Sequence, residues 1–320
     1  TYNGQKYLKE LMDSILNQTY ENFRLLICDD CSTDNTFKIL EEYEKKDERI
    51  ILFKNEKNIG SDKTFQFLLE KVESNYFMFA DQDDIWMKDK VKLSYEKLIK
   101  EDADLVFTDL EVVDENANTI FFSFNRLKEY DYKIKKCIYK GYELEILYNT
   151  ITGCTILSKA SIIDKILPIP DNENILYDYW IGINVALSGK VAYLDKPTIK
   201  YRQHIDNQVG TSRYVDKYND FESVRNHLID IRIKNFDTFL NYTKLFTKEQ
   251  NELNKKAIDY YKMVKNKKNI NFRKLSTFHK LYKNDRLTFY ISLFCIMNVP
   301  IVVRLMYNLK LLITNKKDVK

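Results

Sequence analysis

Residues 76–86 read Tyr76-Phe-Met-Phe-Ala-Asp-Gln-Asp-Asp-Ile-Trp86, an apolar run that leads directly into three carboxylates. A short continuous apolar run is typical of a strand buried on both faces of a sheet. The apolar run 23–28 repeats this pattern, because Asp29 and Asp30 follow it. Carboxylates at the end of a buried strand are costly unless a cation neutralises them. The two segments therefore predict a binding site at one edge of a sheet.

Helical patterns separate the apolar runs. Helices are predicted over residues 5–16, 34–46, from Ser61 through Val72, and near 88–100. Strands are predicted over 23–28, 50–53, 76–80 and 104–108. Strictly alternating helices and strands favour a doubly wound α/β sheet, in which sites form beyond the carboxyl ends of the strands.

The pattern becomes mixed after residue 110. Helices are predicted at 141–148 and from Asp178 to Ser188, and strands at 151–158, 190–194 and 198–201. Only helical periodicity follows from about residue 211. We therefore expect a catalytic α/β domain over 1–210 and a helical appendage over 211–320.

Charge is distributed unevenly along the chain. Residues 261–320 hold 14 Lys and Arg against Asp285 and Asp318, a net charge of +12, which leaves −8 for residues 1–260. A basic end favours an anionic partner. The uncharged run 287–303 can span a bilayer only with strain, lie on an anionic membrane surface, or form a buried hairpin. No motif supports nucleic-acid binding.

The five cysteines are odd in number and too sparse for a disulfide framework. A reducing, cytoplasmic setting fits them better, and no signal peptide opens the sequence. Together with the basic end of the chain, these features favour a cytoplasmic protein that binds peripherally to the inner face of the plasma membrane.

The pair Asp81-x-Asp83 suits a hard divalent ion such as Mn²⁺ or Mg²⁺, which binds oxygen ligands and leaves positions open for phosphate oxygens. Asp83 is the first candidate for the metal ligand. The pair alone is a weak signal, because metal-dependent phosphohydrolases also place carboxylates at a strand end. A phosphohydrolase would require a nucleophilic Asp near the first strand and a small hydroxyl residue after the pair, where Asp84 and Ile85 stand.

The chain resembles family 2 glycosyltransferases with the GT-A fold, a mixed α/β sheet flanked by helices. Four motifs in order carry the resemblance: Thr1-Tyr-Asn-Gly4, Ile27-Cys-Asp-Asp-Cys-Ser-Thr-Asp34, Asn58-Ile-Gly60 and Ala80-Asp-Gln-Asp-Asp-Ile-Trp86. Three later motifs are similar to the bacterial rhamnosyltransferase-type branch: Thr152-Gly-Cys-Thr155, Tyr177-Asp-Tyr-Trp180 and Tyr201-Arg-Gln-His204. The family has a strand before the first motif, so the resemblance implies that the central strand of the nucleotide-binding sheet is missing from residues 1–320.

The resemblance implies a donor site for a nucleoside-diphosphate sugar. The residues expected to bind the donor are Thr1, Tyr2, Asn3, Asp30, Asn58, Gly60, Asp81, Gln82 and Arg202. Among them, Asp30 contacts the base, Asp81 faces the ribose and Arg202 contacts the phosphates. Asp83 and His204 are the expected metal contacts. Asp30 can instead be a turn residue, and His204 an exposed loop residue.

The resemblance also implies a catalytic base and an acceptor side. Asp178 matches an acidic residue at the start of a helix below the acceptor cleft, although it can also be a helix cap. Gly153, Thr155 and Trp180 are expected on the acceptor side, and packing is the alternative for Trp180.

The implied reaction is inverting transfer from a UDP- or dTDP-sugar to a saccharide or a polyprenyl-linked glycan of a bacterial surface polysaccharide. A non-catalytic relative that only binds the nucleotide sugar is the other alternative, and the sequence leaves rhamnose, galactose and glucose open.

Overall fold

The computed structural model describes residues 1–124, 151–171, 175–204, 221–242 and 246–266. The chain divides into two compact units, Thr1–His204 and Ile205–Lys320. The helix predicted at 141–148 and the uncharged run 287–303 lie outside the described residues, and most of the basic end lies outside them too. Among the described helices, none has both the length and the apolar character that a membrane span requires.

The first unit begins with alternating helices and strands. They are α1 (Leu8–Leu16), β1 (Leu25–Asp29), α2 (Thr36–Glu44), β2 (Ile50–Lys54), α3 (Ser61–Leu69), β3 (Tyr76–Met78), β4 (Ile85–Trp86) and α4 (Lys90–Glu101). The later elements are β5 (Leu105–Val113), β6 (Thr119–Phe121), a 3₁₀ turn (Gly153–Thr155), β7 (Ile156–Lys159), a second 3₁₀ turn (Ala160–Ile162), α5 (Ile163–Ile166), α6 (Tyr177–Ser188) and β8 (Val191–Arg202).

The strands form a two-stranded sheet and a larger mixed sheet, which confirms the mixed α/β sheet implied by the resemblance and corrects the single doubly wound sheet that the alternation favoured. β1 and β2 pair in parallel as a two-stranded sheet. The larger sheet has the order β3-β7-β5-β8-β4, and β6 pairs with β5. Only the β5–β8 pair of this sheet is parallel. The sheet is mixed because β4, β6 and β7 return antiparallel to their neighbours, a feature that apolar runs alone do not encode.

β5 is the centre of the larger sheet, and all nine of its residues are buried. β8 runs beside β5 as one continuous strand, and the pairing shifts register around Asp109. The sequence had predicted two separate strands, 190–194 and 198–201, in place of β8. The predicted strand 151–158 is also corrected, because residues 153–155 form a 3₁₀ turn before β7. These differences bring Asp84, the 3₁₀ turn and the end of β8 to one edge of the sheet.

The second unit contains α7 (Phe221–Asn241) and α8 (Lys248–Lys265) in its described part. The helices pack through aromatic rings, with 5.9 Å between the ring centroids of Phe236 and Tyr261. Lys265 Nζ lies 2.6 Å from Asp230 Oδ1. The division into a catalytic domain (1–210) and a helical appendage (211–320) stays a prediction.

α1 packs its apolar face into a core cluster that also contains Trp86 of β4 and Leu110 of β5. Leu8 in this cluster is fully buried, as the predicted helical stripe requires. α1 therefore supports the strand that follows the acidic residues.

We expect Leu8→Ala to lower the free energy of unfolding by about 2–5 kcal/mol, because it removes buried methyl groups and leaves a cavity. Urea unfolding followed by circular dichroism measures the change. The exposed neighbour Lys9 provides the control, since Lys9→Ala should leave the midpoint nearly unchanged. Equal midpoints for both variants would contradict the packing of α1.

Candidate active site

The loop Asp81–Asp84 connects β3 to β4, and its side chains contact the start of α6, the N-terminal segment and the end of β8. Asp81 Oδ1 lies 3.5 Å from the hydroxyl of Tyr177, at the start of α6. Asp83 Oδ2 lies 2.8 Å from Nε2 of His204, just after β8. The sequence predicted a site in this loop, and the structure brings Asp81, Asp83, Asp178 and His204 to it.

Gln82 contacts the N-terminal segment through both atoms of its amide. The Tyr2 amide donates to Gln82 Oε1 at 2.7 Å, and Gln82 Nε2 donates to the Tyr2 carbonyl at 2.9 Å. A Cβ atom on Gly4 would lie 2.7 Å from the same Oε1. Gln82 therefore positions the segment that was expected to contact the nucleotide, while the Tyr2 side chain remains exposed.

The N-terminal segment lies beside the end of β1. The Thr1 nitrogen donates to the Cys28 carbonyl, and the Asp30 amide donates to the Thr1 carbonyl, both at 2.7 Å. Asn3 has a positive φ of 47°, and its Oδ1 accepts from the Thr33 amide at 2.8 Å. Thr1, Tyr2 and Asn3 thus form one wall with the loop after β1.

Asp30 is 4% exposed, and its carboxylate binds the loop between β2 and α3. It accepts hydrogen bonds from Asn55 Nδ2 at 2.8 Å, the Ile59 amide at 2.9 Å and the Gly60 amide at 2.8 Å. Gly60 takes a φ of +87°, which favours glycine. Asp30 therefore orders the segment 58–60, a role that the sequence motif did not indicate.

The Asp83–His204 pair can bind a divalent cation. A carboxylate oxygen and an imidazole nitrogen are both common ligands of Mn²⁺-type ions, and an ion needs them close together, as they are here. The ring of Tyr7 packs against His204, with 5.0 Å between their centroids. A second group of ligand atoms, on Asp81, Asp84 and Cys154, lies within 4.8 Å of one another deeper in the site.

Arg202 is only 1% exposed and binds the protein rather than the cleft. Its Nε donates to the Asp83 carbonyl at 2.8 Å, Nη1 to the Glu115 carbonyl at 2.7 Å, and Nη2 to Glu10 Oε2 at 2.5 Å. Its backbone amide donates to Asp84 Oδ1 at 3.0 Å. The structure therefore corrects the expected phosphate contact: Arg202 fixes the acidic loop from behind.

Burial and mutual repulsion raise the pKa values of the carboxyl groups. The pKa of Asp81 rises to about 7, mainly through burial and then through Asp83 and Asp178. Burial also raises the pKa of Asp84 well above its ordinary value. A group poised near neutral pH can take up and release a proton, which is the property of acid–base catalysts.

Asp178 lies in the first turn of α6 and combines burial with backbone hydrogen bonds. Burial raises its pKa to about 6, while hydrogen bonds from the Gly153 and Tyr179 amides oppose the shift. The Gly153 amide donates to Oδ2 at 3.0 Å and the Tyr179 amide to Oδ1 at 2.7 Å. The carboxylate is thus oriented by two elements.

The other residues expected on the acceptor side are buried. Trp180 is 2% exposed and donates from Nε1 to the Ile166 carbonyl at 2.7 Å. Thr155 is 1% exposed and donates from Oγ1 to the Thr152 carbonyl at 2.6 Å. Their side chains support the wall behind Asp178 instead of presenting a surface to an acceptor, and Gly153 is a buried part of the same wall.

Sequence reasoning missed Tyr177 and Glu10. The Tyr177 ring packs against Phe65 and Phe79, with centroids 4.4 Å and 4.9 Å away, and carries its hydroxyl to Asp81. Tyr177 precedes Asp178 in the motif Tyr177-Asp-Tyr-Trp180, and this position could have indicated a role in the site. Glu10 lies on the polar face of α1, and only the tertiary contact with Arg202 distinguishes it.

The fold is the GT-A fold. Two solved structures share the fold. The Staphylococcus aureus protein TarS, in complex with UDP-GlcNAc, superposes with a TM-score of 0.53 over 82% of this chain and 69% of that one, at 19% identity. The mannosyltransferase PcManGT from Pyrobaculum calidifontis, in complex with GDP-Man and Mn²⁺, superposes with a TM-score of 0.51 over 75% of this chain and 62% of that one, at 13% identity.

The chain belongs to glycosyl transferase family 2, whose family model matches residues 1–164. It is 32% identical over 243 residues to the dTDP-rhamnosyl transferase RfbG of Shigella flexneri, covering 71% of this chain and 78% of that protein. It is 31% identical over 138 residues to WfgD of Escherichia coli, covering 43% of this chain and only 53% of WfgD, which is named a UDP-Glc:alpha-D-GlcNAc-diphosphoundecaprenol beta-1,3-glucosyltransferase. Membership resolves the ambiguity of the Asp81-x-Asp83 pair in favour of a glycosyltransferase over a phosphohydrolase.

We expect Gly153→Ala to disrupt the site, because a Cβ atom there would lie 2.0 Å from the Tyr177 hydroxyl. Tyr177 is packed between aromatic rings, so overpacking should cost about 1–3 kcal/mol of unfolding free energy. Urea unfolding measures this loss. In Gly60→Ala, the contrasting variant, the added Cβ meets nothing within 4 Å and the cost arises from the positive φ alone. Full stability of Gly153→Ala would show that the turn has more room than the structure indicates.

Proposed function

We propose that the chain transfers a sugar, with inversion, from a UDP- or dTDP-sugar to a saccharide or polyprenyl-linked glycan, and that this reaction depends on a divalent cation. The observation that carries the proposal is the convergence on one loop of the Asp83–His204 pair, the Gln82–Tyr2 contact and the Tyr177–Asp178 segment. Around this loop, the Asp83–His204 pair suits the cation of a donor diphosphate, the N-terminal segment suits the nucleoside, and Asp178 suits the role of proton acceptor.

The donor side is supported by two kinds of likeness. TarS is described in complex with UDP-GlcNAc, and RfbG is named for a dTDP-sugar. In this chain, Thr1, Tyr2 and Asn3 form the wall nearest the proposed nucleoside. Asp30 orders Asn58 and Gly60 beside that wall through its hydrogen bonds to residues 59 and 60.

The cation side rests on Asp83 and His204. A bound Mn²⁺ or Mg²⁺ would neutralise the charge that develops on the leaving diphosphate. PcManGT is described with Mn²⁺, which supports an ion of this class. Arg202 donates a hydrogen bond to the Asp83 carbonyl, Glu10 accepts one from Arg202, and these contacts position the loop that carries Asp83.

Asp178 is the proposed base. Its carboxylate accepts the proton of the acceptor hydroxyl while that oxygen attacks the anomeric carbon on the face opposite the leaving diphosphate, so the configuration inverts. The Gly153 and Tyr179 amides orient the carboxylate, and burial raises its pKa to about 6, which makes it a stronger base than an ordinary aspartate.

The acceptor is proposed from the relatives and from charge. WfgD is named for a diphosphoundecaprenol-linked acceptor, and RfbG for rhamnosyl transfer. The +12 charge of residues 261–320 suits an acceptor presented at an anionic membrane. We therefore propose a role in bacterial surface polysaccharide synthesis, at the inner face of the plasma membrane.

The cation site is tested by calorimetric titration of UDP, dTDP and GDP, each with and without Mn²⁺. We expect one nucleotide to bind more tightly with Mn²⁺, and Asp83→Ala to lose this gain, because removing a metal ligand should weaken metal-dependent binding about tenfold or more. Asp89→Ala removes an exposed carboxylate of the same segment and should behave like the parent. A gain that persists in Asp83→Ala would reject Asp83 as a metal ligand.

The base is tested by the pH dependence of nucleoside-diphosphate release from a panel of UDP- and dTDP-sugars. A base must be unprotonated, so the rate should rise as the pH rises through about 6, the raised pKa of Asp178. Asp178→Asn should lower kcat by about 10²–10⁴ and abolish that rise. Asp164→Asn changes an exposed carboxylate and should keep both the parent kcat and the rise of the rate with pH. An unchanged pH profile in Asp178→Asn would exclude Asp178 as the base.

A further inference from the structure

Lys90 is a cation in an unfavourable place. It is the first residue of α4 and is fully buried. The N-terminal end of a helix carries partial positive charge and therefore disfavours a lysine. Burial also disfavours its ammonium group and lowers its pKa to about 8. The surroundings must provide specific contacts for this residue to remain there.

Those contacts lead to the wall of the active site. Lys90 Nζ donates to the Cys154 carbonyl at 2.8 Å and lies 3.5 Å from Thr198 Oγ1 on β8. It also lies 5.0 Å from the centroid of the Trp86 ring. Asp84 and Asp81 attract the charge from a greater distance. The ammonium group thus joins α4 to β4, β8 and the 3₁₀ turn Gly153–Thr155.

The 3₁₀ turn carries the contact to Asp178. Gly153 donates its amide to Asp178 Oδ2 at 3.0 Å, and the next residue, Cys154, presents its carbonyl to Lys90. Thr155 closes the turn, because its amide donates to the Thr152 carbonyl at 2.9 Å. Tyr177 packs against Gly153 so closely that no side chain fits there. The Cys154 carbonyl and the Gly153 amide lie two peptide units apart in this short, packed turn, so a displaced carbonyl would shift the turn and with it the Gly153 amide.

We propose that Lys90 is a positioning residue that fixes the Cys154 carbonyl, so that the Gly153 amide is aligned on the carboxylate of Asp178. This inference rests on the proposed function, in which Asp178 is the base. Lys90 acts through the turn and does not contact the substrate.

The chain offers a specific reporter for this role. It contains seven glycines, and Gly153 is the only one that follows a threonine. Labelling Thr with ¹³C at the carbonyl and Gly with ¹⁵N therefore isolates the Gly153 amide signal in a nuclear magnetic resonance spectrum. We expect this signal to shift with pH around 6, as Asp178 ionises. Asp178→Asn should abolish the shift, which separates Asp178 from Asp62, Asp81 and Tyr177 nearby.

Lys90→Met removes the ammonium group while it retains the length of the side chain. We expect the Gly153 signal to move and its pH-dependent shift to be lost. Lys92→Met, an exposed position on the same helix, should leave both unchanged. In the release assay, Lys90→Met should lower kcat and leave KM for the donor unchanged. A general loss of folded protein is distinguished in the spectrum, because the remaining folded fraction would keep its pH-dependent Gly153 shift.

An unmoved Gly153 signal with its full pH-dependent shift in Lys90→Met would overturn the proposal. If that variant does not fold, Lys90→Arg is measured instead, because the larger guanidinium must displace the Cys154 carbonyl. An unmoved signal in Lys90→Arg, or loss of the fold in both variants, would equally overturn it. The spectrum needs no substrate, so failure of the base role appears only in the release assay of Asp178→Asn.

Discussion

Repulsion among carboxylates is the constraint on which this structure depends. Asp81, Asp83 and Asp84 lie within four residues, and Asp178 faces the same space. Each buried negative charge requires a hydrogen bond, a cation or a proton. The chain uses hydrogen bonds, from the Arg202 amide to Asp84 and between the His204 ring and Asp83, and raised pKa values for Asp81 and Asp84. A divalent cation would relieve the remaining repulsion among these carboxylates, so the loop has the charge that favours cation binding.

Cations that already belong to the protein determine where a further cation can bind. Arg202 and Lys90 are both buried, and they lie behind the acidic loop and the 3₁₀ turn. The second ligand group, on Asp81, Asp84 and Cys154, is next to Lys90, whose charge opposes an incoming ion. Electrostatics therefore disfavours a cation at this second group.

The sequence predicted the helices and buried strands of the first hundred residues well, because their apolar periodicity depends only on local spacing. α1 and β1 to β3 differ from their predicted bounds by a few residues. The mixed sheet was predicted only through the family resemblance and not from the apolar runs, since strand direction depends on connections between distant segments. The β5–β8 pair joins residues more than 80 positions apart. The position of the acidic loop at a strand end was nevertheless visible, because a carboxylate after an apolar run is a local signal.

Individual roles within the site were harder to predict than its location. A motif identifies a residue type, but the partner decides what the side chain does. Arg202 has the charge to bind phosphate, yet Glu10, Glu115 and the Asp83 backbone occupy its donors. Asp30 has the charge to bind a base, yet three donors from the loop after β2 already surround it. Both residues order backbone in this structure, so the charge of a side chain does not by itself identify what that side chain binds.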